Sequence, residues 1–185
     1  MLVVSGPSGA GKGTLIAGVR KTFPELEIAI SATTRPRRPG ERDGVDYHFL
    51  SEAEFDRLVG QGGFLEHVEY AGNQYGTLRS EIDDRTRENR SVVLEIELAG
   101  ARAVRQLLPE ATSVFIAPPS VEELERRLER RATDSEADIA RRIAVSRWEL
   151  RAAEEFDYVI VNADIATATD ELRQVVENVL GATDG

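Results

Sequence analysis

The feature that most constrains this chain is a glycine-rich loop near the N-terminus, between an apolar run and a helical pattern. Residues 6–12 read GPSGAGK, which matches the pattern G-x-x-x-x-G-K. Glycines let a backbone turn tightly and direct its N–H groups inward, and the following helix directs its positive end at an anion. Lys12 can then reach the β- and γ-phosphates of a nucleotide as a compact charge. The sequence therefore predicts a phosphate-binding loop rather than a glycine turn with a chance lysine.

The residue after Lys12 departs from the usual form of this loop. Most such loops have Ser or Thr there, whose hydroxyl contacts Mg²⁺, whereas this chain has Gly13 and carries Thr14 one position later. The run GAGKGT resembles the loop of adenylate kinases and some other nucleoside monophosphate kinases, in which water largely holds the metal. Gly13 is therefore compatible with ATP binding. It argues against a GTPase switch protein, since direct metal coordination is central there and the chain has no N-K-x-D-type guanine motif.

Composition limits the class of protein. The 185 residues include 41% apolar residues, which is enough for the core of one domain. The chain has no cysteine, and His48 and His67 have no partner at metal-ligand spacing, so we expect no metal bound directly by such ligands. The net charge of −10 argues against nucleic acid and anionic membranes as partners. No apolar run is long enough to span a membrane and no basic leader precedes the first one, so we expect a soluble cytoplasmic protein, with its oligomeric state left open.

Apolar runs typical of strands alternate with helical patterns along the chain. We predict strands at residues 2–5, 28–31, 91–96, 113–117 and 158–161. We predict helices at residues 12–23, 51–60, 80–88, 99–108, 120–131, 135–155 and 165–180. Two of the helices open with a capping box, Ser51 with Glu54 and Ser120 with Glu123. This alternation favours an α/β fold with a parallel sheet covered by helices on both faces.

Residues 33–77 depart from the alternation and predict a small mixed or antiparallel insert. Prolines hold Arg35 and Arg38 in an extended turn, where guanidinium groups can bind a phosphate bidentately and Tyr47 can add a hydroxyl. A solvated basic loop is the alternative. In the run FLEHVEY, Glu66 shares a strand face with Val68, but periodicity leaves open which face is buried.

Two further groups of charged residues stand out. Glu95 and Glu97 share one face of an otherwise apolar strand, where carboxylates are costly unless they are used, with edge-strand charges as the alternative. Residues 122–151 are rich in arginine at helical spacing, and Arg127 and Arg131 lie on one helix face. These arginines indicate either a phosphate-binding lid or a helix with salt bridges to its own glutamates.

Several motifs together resemble the guanylate kinase family. SATTRPRRPGE followed by DGVDYHF looks like the GMP-binding signature of that family, and its later blocks are similar to FLEHVEYAGNQYGT, VVLEIELAGA, FIAPPS, RRLERRAT and YVIVN, in the same order. The resemblance implies a P-loop nucleoside monophosphate kinase fold with a five-stranded parallel core sheet flanked by helices. It divides the chain into a core (1–31, 81–120 and 152–185), a mixed-sheet GMP-binding insert (32–80) and a helical lid (121–151).

The resemblance also implies a role for each matching residue. ATP would be bound by the loop residues Gly6, Pro7, Ser8, Gly9, Ala10, Gly11, Lys12, Gly13 and Thr14, and its adenine by Asn162. The GMP phosphate would be held by Arg35, Arg38, Tyr47 and Tyr75, and guanine by Ser31, Glu66, Thr77 and Glu97. Glu95 would also belong to the GMP-binding residues. Mg²⁺ would arrive with ATP and water, near Thr14 and Glu95. The catalytic residues would be Lys12, Arg35, Arg127, Arg131 and Arg142.

The implied reaction transfers the γ-phosphoryl group of ATP to GMP, and so recycles GMP in purine nucleotide metabolism. A GMP phosphate oxygen would attack the γ-phosphorus in line, while insert and lid close to exclude water. One alternative is a non-catalytic guanylate-kinase-like binding module, against which the intact phosphate loop argues. Another is a kinase of this fold for a sugar phosphate or another nucleotide. It stays open because the family usually has Asp, Asp and Gln where this chain has Glu95, Glu97 and Ala99.

Overall fold

A five-stranded parallel sheet forms the centre of the protein. The computed structural model describes residues 1–70, 72–88, 90–129 and 147–181. Across the sheet the strands run in the order β2 (Glu27–Ile28), β7 (Val92–Glu95), β1 (Leu2–Ser5), β8 (Thr112–Ala117) and β9 (Tyr158–Val161). Every neighbouring pair of these strands is parallel. The predicted parallel core sheet is therefore confirmed.

Helices cover both faces of this sheet. The helices of the described residues are α1 (Lys12–Val19), α2 (Glu52–Gly60), α3 (Asp83–Arg87), α4 (Leu98–Leu107), α5 (Val121–Glu129) and α6 (Ile165–Gly181). Successive side chains of a strand point to opposite faces. Leu2 and Val4 of β1 accordingly pack with α1 and α6, whereas Val3 packs in a second cluster with α4.

Helix boundaries differ in part from the predicted ones. The helix predicted at residues 12–23 ends at Val19, and a 3₁₀ turn, Arg79–Glu81, precedes the short α3. Residues 147–149 are helical and continue into a 3₁₀ turn, Leu150–Glu155, while the remainder of the helix predicted at 135–155 lies outside the described residues. The capping box of α2 is confirmed, because Ser51 Oγ accepts from the Glu54 N–H at 3.2 Å and Glu54 accepts in return from the Ser51 N–H at 2.9 Å.

A second sheet lies beside the core and is formed by the predicted insert. Its strands run in the order β4 (His48–Phe49), β3 (Ser31–Thr33), β6 (Asn73–Leu78) and β5 (Phe64–Tyr70). The β3–β4 pair is parallel and the other two pairs are antiparallel. Helix α2 packs on this sheet through Phe55, whose ring stacks on Phe64 at 4.4 Å between centroids. The predicted mixed sheet is confirmed.

The strand predicted at residues 28–31 is wrong, because the structure divides it between the two sheets. β2 ends at Ile28 in the core sheet, and β3 begins at Ser31 in the insert sheet. Between them the N–H of Ile30 donates to the Glu81 carboxylate at 3.1 Å instead of to a neighbouring strand. A side chain thus satisfies the backbone where the chain passes from one sheet to the other.

Candidate active site

One cleft of about 540 Å³ contains most of the predicted site residues. Those that line it are Ser8, Gly9, Gly11, Lys12, Gly13, Thr14, Ser31, Arg35, Arg38, Tyr47, Glu66, Tyr75, Glu95 and Glu97. The cleft lies between the phosphate loop and the insert sheet. The described site residues that do not line it are Gly6, Pro7, Ala10, Thr77, Arg127 and Asn162. Arg131 and Arg142 lie outside the described residues.

The phosphate loop has a backbone that only glycine accommodates at two positions. Gly6 has a φ of 140°, and a Cβ there would lie 2.2 Å from the backbone oxygen of Ile116. Gly11, with a φ of 94°, would bring its Cβ to 2.4 Å from Asn162 Nδ2. Each of the two positions requires glycine for two reasons: a positive φ disfavours other residues, and a Cβ atom would be too close to its neighbour. The glycine pattern found in the sequence therefore has a structural cause.

Lys12, at the start of α1, is held over this loop. Its Nζ donates to the Gly6 backbone oxygen at 2.6 Å, and the oxygen of Pro7 is 3.4 Å away. Only 8% of Lys12 is exposed. The Lys12 ammonium group therefore lies beside the loop backbone at the N-terminus of α1. A side-chain cation next to the positive end of a helix is the electrostatic arrangement of an anion site.

Gly13 lies directly against the carboxylate of Glu95. A Cβ on Gly13 would be 3.3 Å from Glu95 Oε2 and 3.6 Å from Oε1. β7, which ends at Glu95, runs between β2 and β1, and Glu95 is paired with Val4 of the central strand. The interpretation of Glu95 as an edge-strand charge is therefore wrong. The longer glutamate instead extends over the start of α1, where the usual loop hydroxyl is missing. The prediction that Glu97 shares the strand face of Glu95 is also wrong, because β7 ends at Glu95 and Glu97 is the residue before α4.

Asn162 follows β9, and its side chain contacts the backbone of the phosphate loop. Its Nδ2 donates to the Ala10 backbone oxygen at 2.7 Å, and only 2% of the residue is exposed. Its own backbone oxygen accepts from Arg127 Nη2 at 3.0 Å, and Arg127 Nε is bonded to Glu123 at 3.0 Å. In this structure Asn162 is thus directed at the loop backbone, and its contact with adenine stays a prediction.

The carboxylate of Glu41 holds the arginine-rich turn of the insert in place through hydrogen bonds. Arg35 Nη2 is paired with Glu41 at 2.7 Å, and the other Glu41 oxygen accepts from the Arg38 N–H at 2.7 Å. The Arg35 guanidinium lies 5.4 Å from the centre of the Tyr47 ring, within cation–π distance. Its side chain is only 11% exposed. The alternative of a solvated basic loop is therefore wrong for Arg35.

Tyr47 and Tyr75 stand edge to face in this part of the cleft, with ring centroids 6.3 Å apart. Burial raises the pKa of the Tyr47 hydroxyl, and the negative charges of Glu95 and Glu97 raise it further. The hydroxyl therefore keeps its proton and acts as a hydrogen-bond donor. A protonated tyrosine beside a guanidinium group suits a phosphate.

Glu66 provides a buried carboxylate on the insert side of the cleft. Only 5% of it is exposed, and its Oε1 accepts from Thr77 Oγ1 at 2.7 Å. Burial raises the pKa of Glu66, and the hydrogen bonds from Thr77 oppose this shift. Ser31 lies opposite Thr77 in the β3–β6 pairing, and Glu66 lies opposite Thr77 in the β5–β6 pairing, so three of the four predicted guanine-contacting residues are neighbours.

Several residues of the site were not predicted. Val68 and Tyr70 line the cleft at spacings of two and four from Glu66 on β5, so strand periodicity could have identified them. Glu149 is 2% exposed, and its pKa is raised to about 8 by burial and by the charge of Glu97, while Lys12 opposes the shift. In the sequence Glu149 is one glutamate within a charged helical pattern, so no signal distinguished it.

The fold and this cleft define a class of protein. A lysine-bearing glycine loop follows the central strand of a parallel sheet, and the insert places arginine, tyrosine and glutamate side chains in the same cleft. That combination is a P-loop kinase that acts on a small acceptor. In the described residues no helix is long and apolar enough to cross a membrane, and no three His, Cys, Asp or Glu side chains form a metal-binding group.

Comparisons with known proteins identify the family. The family model described as "Guanylate kinase" matches residues 1–179. The guanylate kinase of Synechococcus sp. (strain JA-3-3Ab) is 50% identical over 95% of this chain and 81% of its own. That of Frankia casuarinae is 51% identical over 93% of this chain and 94% of its own.

Solved structures agree with this result. The crystal structure of guanylate kinase from Anaplasma phagocytophilum has a TM-score of 0.80 and 33% identity, covering 96% of this chain and 84% of that one. Shikimate kinase from Bacteroides thetaiotaomicron has a TM-score of 0.54 at 16% identity, covering 95% of this chain and 97% of that one, which reflects the fold alone. The chain belongs to the guanylate kinase family, whose members are nucleoside monophosphate kinases.

Proposed function

We propose that the cleft binds ATP at the phosphate loop and GMP at the insert sheet, and transfers the γ-phosphoryl group between them. The observation that carries this assignment is that Lys12 and Glu66 line the same cleft. Thr77 lies behind Glu66 and donates a hydrogen bond to its carboxylate. The cleft thus contains both a cation that can bind the phosphates of ATP and a carboxylate that can accept hydrogen bonds from the guanine of GMP.

Glu66 is the residue that selects guanine. Guanine presents two donors, N1–H and the exocyclic amine, which an ionised carboxylate can accept. Adenine has an acceptor at N1, so its lone pair would oppose the carboxylate and leave a buried charge unpaired, which is costly. The Thr77 hydroxyl occupies Oε1 of Glu66 and thereby orients the carboxylate. Ser31 and Glu97 add polar groups from β3 and from the residue before α4.

The phosphate of GMP is held by Arg35, Arg38, Tyr47 and Tyr75. Two guanidinium groups and two hydroxyl donors match a phosphate dianion in charge and in hydrogen bonding. Glu41 braces Arg35 and the Arg38 backbone before any substrate binds, which reduces the entropy lost on binding. Arg35 serves catalysis by keeping the attacking phosphate oxygen in place.

The residues present fit a hydrated magnesium ion that arrives with ATP. Mg²⁺ keeps several waters and takes one or two carboxylates together with substrate phosphates. The Glu95 carboxylate and Thr14 line the same cleft as Lys12 and would hold its water shell. When bound, the ion would neutralise charge on the β- and γ-phosphates. Loop N–H groups and the Lys12 ammonium bind those same oxygens.

The lid arginines complete the charge stabilisation. Arg127, Arg131 and Arg142 would surround the transferring phosphoryl group, whose oxygens carry the charge that develops during transfer. Arg127 is bonded to the backbone oxygen of Asn162, next to the phosphate loop. The contributions of Arg131 and Arg142 stay predictions from the family resemblance.

A coupled ADP-release assay with MgATP and a panel of acceptors tests this function. The panel contains GMP, dGMP, AMP, CMP, UMP and a sugar phosphate. We expect turnover with GMP to exceed that with AMP by at least about 100-fold, because a carboxylate discriminates strongly between the two bases. No turnover with any nucleotide, or preference for another acceptor, would contradict the proposal.

Glu66→Gln then tests the base contact. We expect the KM for GMP to rise by about 10- to 100-fold through the loss of charge-assisted hydrogen bonds, with the KM for MgATP unchanged. Glu69→Gln is the matched control, because Glu69 lies on the same strand with its side chain exposed. Equal effects of the two substitutions would remove Glu66 from the site.

A further inference from the structure

We infer that Gly100 is a specificity-determining position, because the absence of a side chain there makes room for the Glu66 carboxylate. Gly100 is the third residue of α4, and this helix packs against β5, which carries Glu66. The inference rests on the proposed guanine contact of Glu66.

The two residues are in direct contact. A Cβ on Gly100 would lie 2.7 Å from Glu66 Oε2, 3.1 Å from its Cδ and 3.6 Å from its Oε1. All three atoms belong to the Glu66 carboxyl group, so an added methyl would meet the functional group itself. A contact of 2.7 Å is closer than a real Cβ allows, and therefore the carboxylate would have to move.

The carboxylate has little room to retreat. Its Oε1 is bound by Thr77, which is itself buried on β6 between β3 and β5. Movement away from α4 would stretch that hydrogen bond or turn Oε2 from its present direction. Thr77 and Gly100 thus hold the carboxylate from two sides.

The backbone of α4 gives no other reason for glycine at this position. Gly100 is not among the glycines with positive φ, and it lies inside a helix, where alanine is the more favourable residue. Its neighbours Ala99 and Ala101 are alanines. A glycine that is unfavourable for its own helix is explained by the space that Glu66 occupies. The carboxylate also gains from the positive end of the helix.

Gly100→Ala is therefore expected to weaken GMP binding without disturbing ATP. We expect the KM for GMP to rise by about 10-fold, equivalent to one charge-assisted hydrogen bond, and the ratio of GMP to AMP turnover to fall. The KM for MgATP and the thermal midpoint should stay close to those of the unaltered protein. Gly60→Ala is the matched control, since Gly60 lies in α2 and a Cβ there meets nothing within 4 Å.

A merely structural role would give a different result. If Gly100→Ala lowers the thermal midpoint and weakens GMP and MgATP alike, the position serves packing and the inference fails. It also fails if the folded variant keeps the unaltered KM for GMP. Calorimetric titration with GMP alone gives a binding constant that is independent of turnover.

A double substitution provides an independent test. Glu66→Asp shortens the side chain by one methylene and withdraws the carboxylate from position 100. In the Gly100→Ala background it should therefore cost less GMP affinity than it does alone. Additive losses would overturn the inference. If Glu66→Gln leaves the KM for GMP unchanged, the proposed function of Glu66 fails; if Glu66→Gln raises it and Gly100→Ala does not, only the role of Gly100 fails.

Discussion

The side-chain amide of Asn162 donates a hydrogen bond of 2.7 Å to the backbone oxygen of Ala10, across a sequence separation of 152 residues. The same amide nitrogen lies where a Cβ on Gly11 would come within 2.4 Å. The end of the last core strand is thereby fitted to the phosphate loop, and glycine at position 11 permits the approach. The shape of the loop depends on a residue at the far end of the chain.

Asn162→Ala should accordingly loosen the phosphate loop. We expect a loss of about 1–2 kcal/mol in unfolding free energy, because a buried backbone oxygen loses its donor, and a rise of roughly 5-fold in the KM for MgATP. The KM for GMP should change little. Asn162→Asp keeps the shape but removes the donor, so it should be at least as harmful; wild-type-like behaviour of Asn162→Asp would show that the hydrogen bond is unimportant.

Gly6→Ala should be severely destabilising. The new Cβ would lie 2.2 Å from a backbone oxygen of β8, which cannot move independently of the core sheet. We expect a loss of at least about 3 kcal/mol in a urea unfolding curve, from strain at positive φ together with overpacking. Gly62→Ala is the control, because Gly62 has a φ of 67° but open space around it, so it isolates the cost of φ alone. Equal losses for both variants would contradict the steric explanation.

Gly13 and Glu95 should behave as a complementary pair. Gly13→Ser restores the usual loop hydroxyl but brings a Cβ to 3.3 Å from Glu95 Oε2, so the carboxylate must shift by a few tenths of an ångström. We expect the KM for MgATP to rise by roughly 3-fold, and the addition of Glu95→Asp to reverse part of that rise because the carboxylate withdraws. The affinity for Mn²⁺ in the presence of ATP, measured by electron paramagnetic resonance, should likewise fall in Gly13→Ser and recover in part when Glu95→Asp is added. Independent effects of the two substitutions would count against the pairing.

Glu149 should make the stability of the protein depend on pH. Its pKa in the folded protein is raised from 4.5 to about 8, so between these values the folded state keeps a proton that the unfolded chain has lost. This contribution is therefore most favourable below pH 4.5 and declines as the pH rises towards about 8, by at most about 1.4 kcal/mol per pH unit.

Glu149→Gln removes this titration. We expect the variant to gain stability over the unaltered protein when the pH is raised from 6 to 8 in urea unfolding experiments, because a neutral amide has no charge to desolvate. Glu154→Gln, at an exposed position a few residues later, is the control. Parallel pH dependences of the unaltered protein and Glu149→Gln would exclude a buried, titrating Glu149.

Local spacing explains which elements could be predicted. The unit β1–loop–α1 could be predicted from adjacent residues, because its apolar run, its glycine pattern and its helical pattern all lie within the first 20 positions. The strand predicted at 28–31 failed for the opposite reason. Its division between two sheets depends on Glu81, which is distant in sequence and bonds the Ile30 N–H.

The sequence by itself determined the glycine pattern of the phosphate loop and the alternation of strands and helices, because both depend on short-range spacing. It also determined which residue types are able to bind two nucleotides, because that chemistry belongs to single side chains. Only the tertiary structure decided which face of β5 is buried, since a period of two leaves Glu66 and His67 equivalent until α4 covers one side. It likewise decided that Asn162 faces the loop backbone and that Glu149 is buried near Glu97 and Lys12. Those outcomes arise from contacts between residues far apart in sequence, where burial and close approach select one of several arrangements that the local pattern allows.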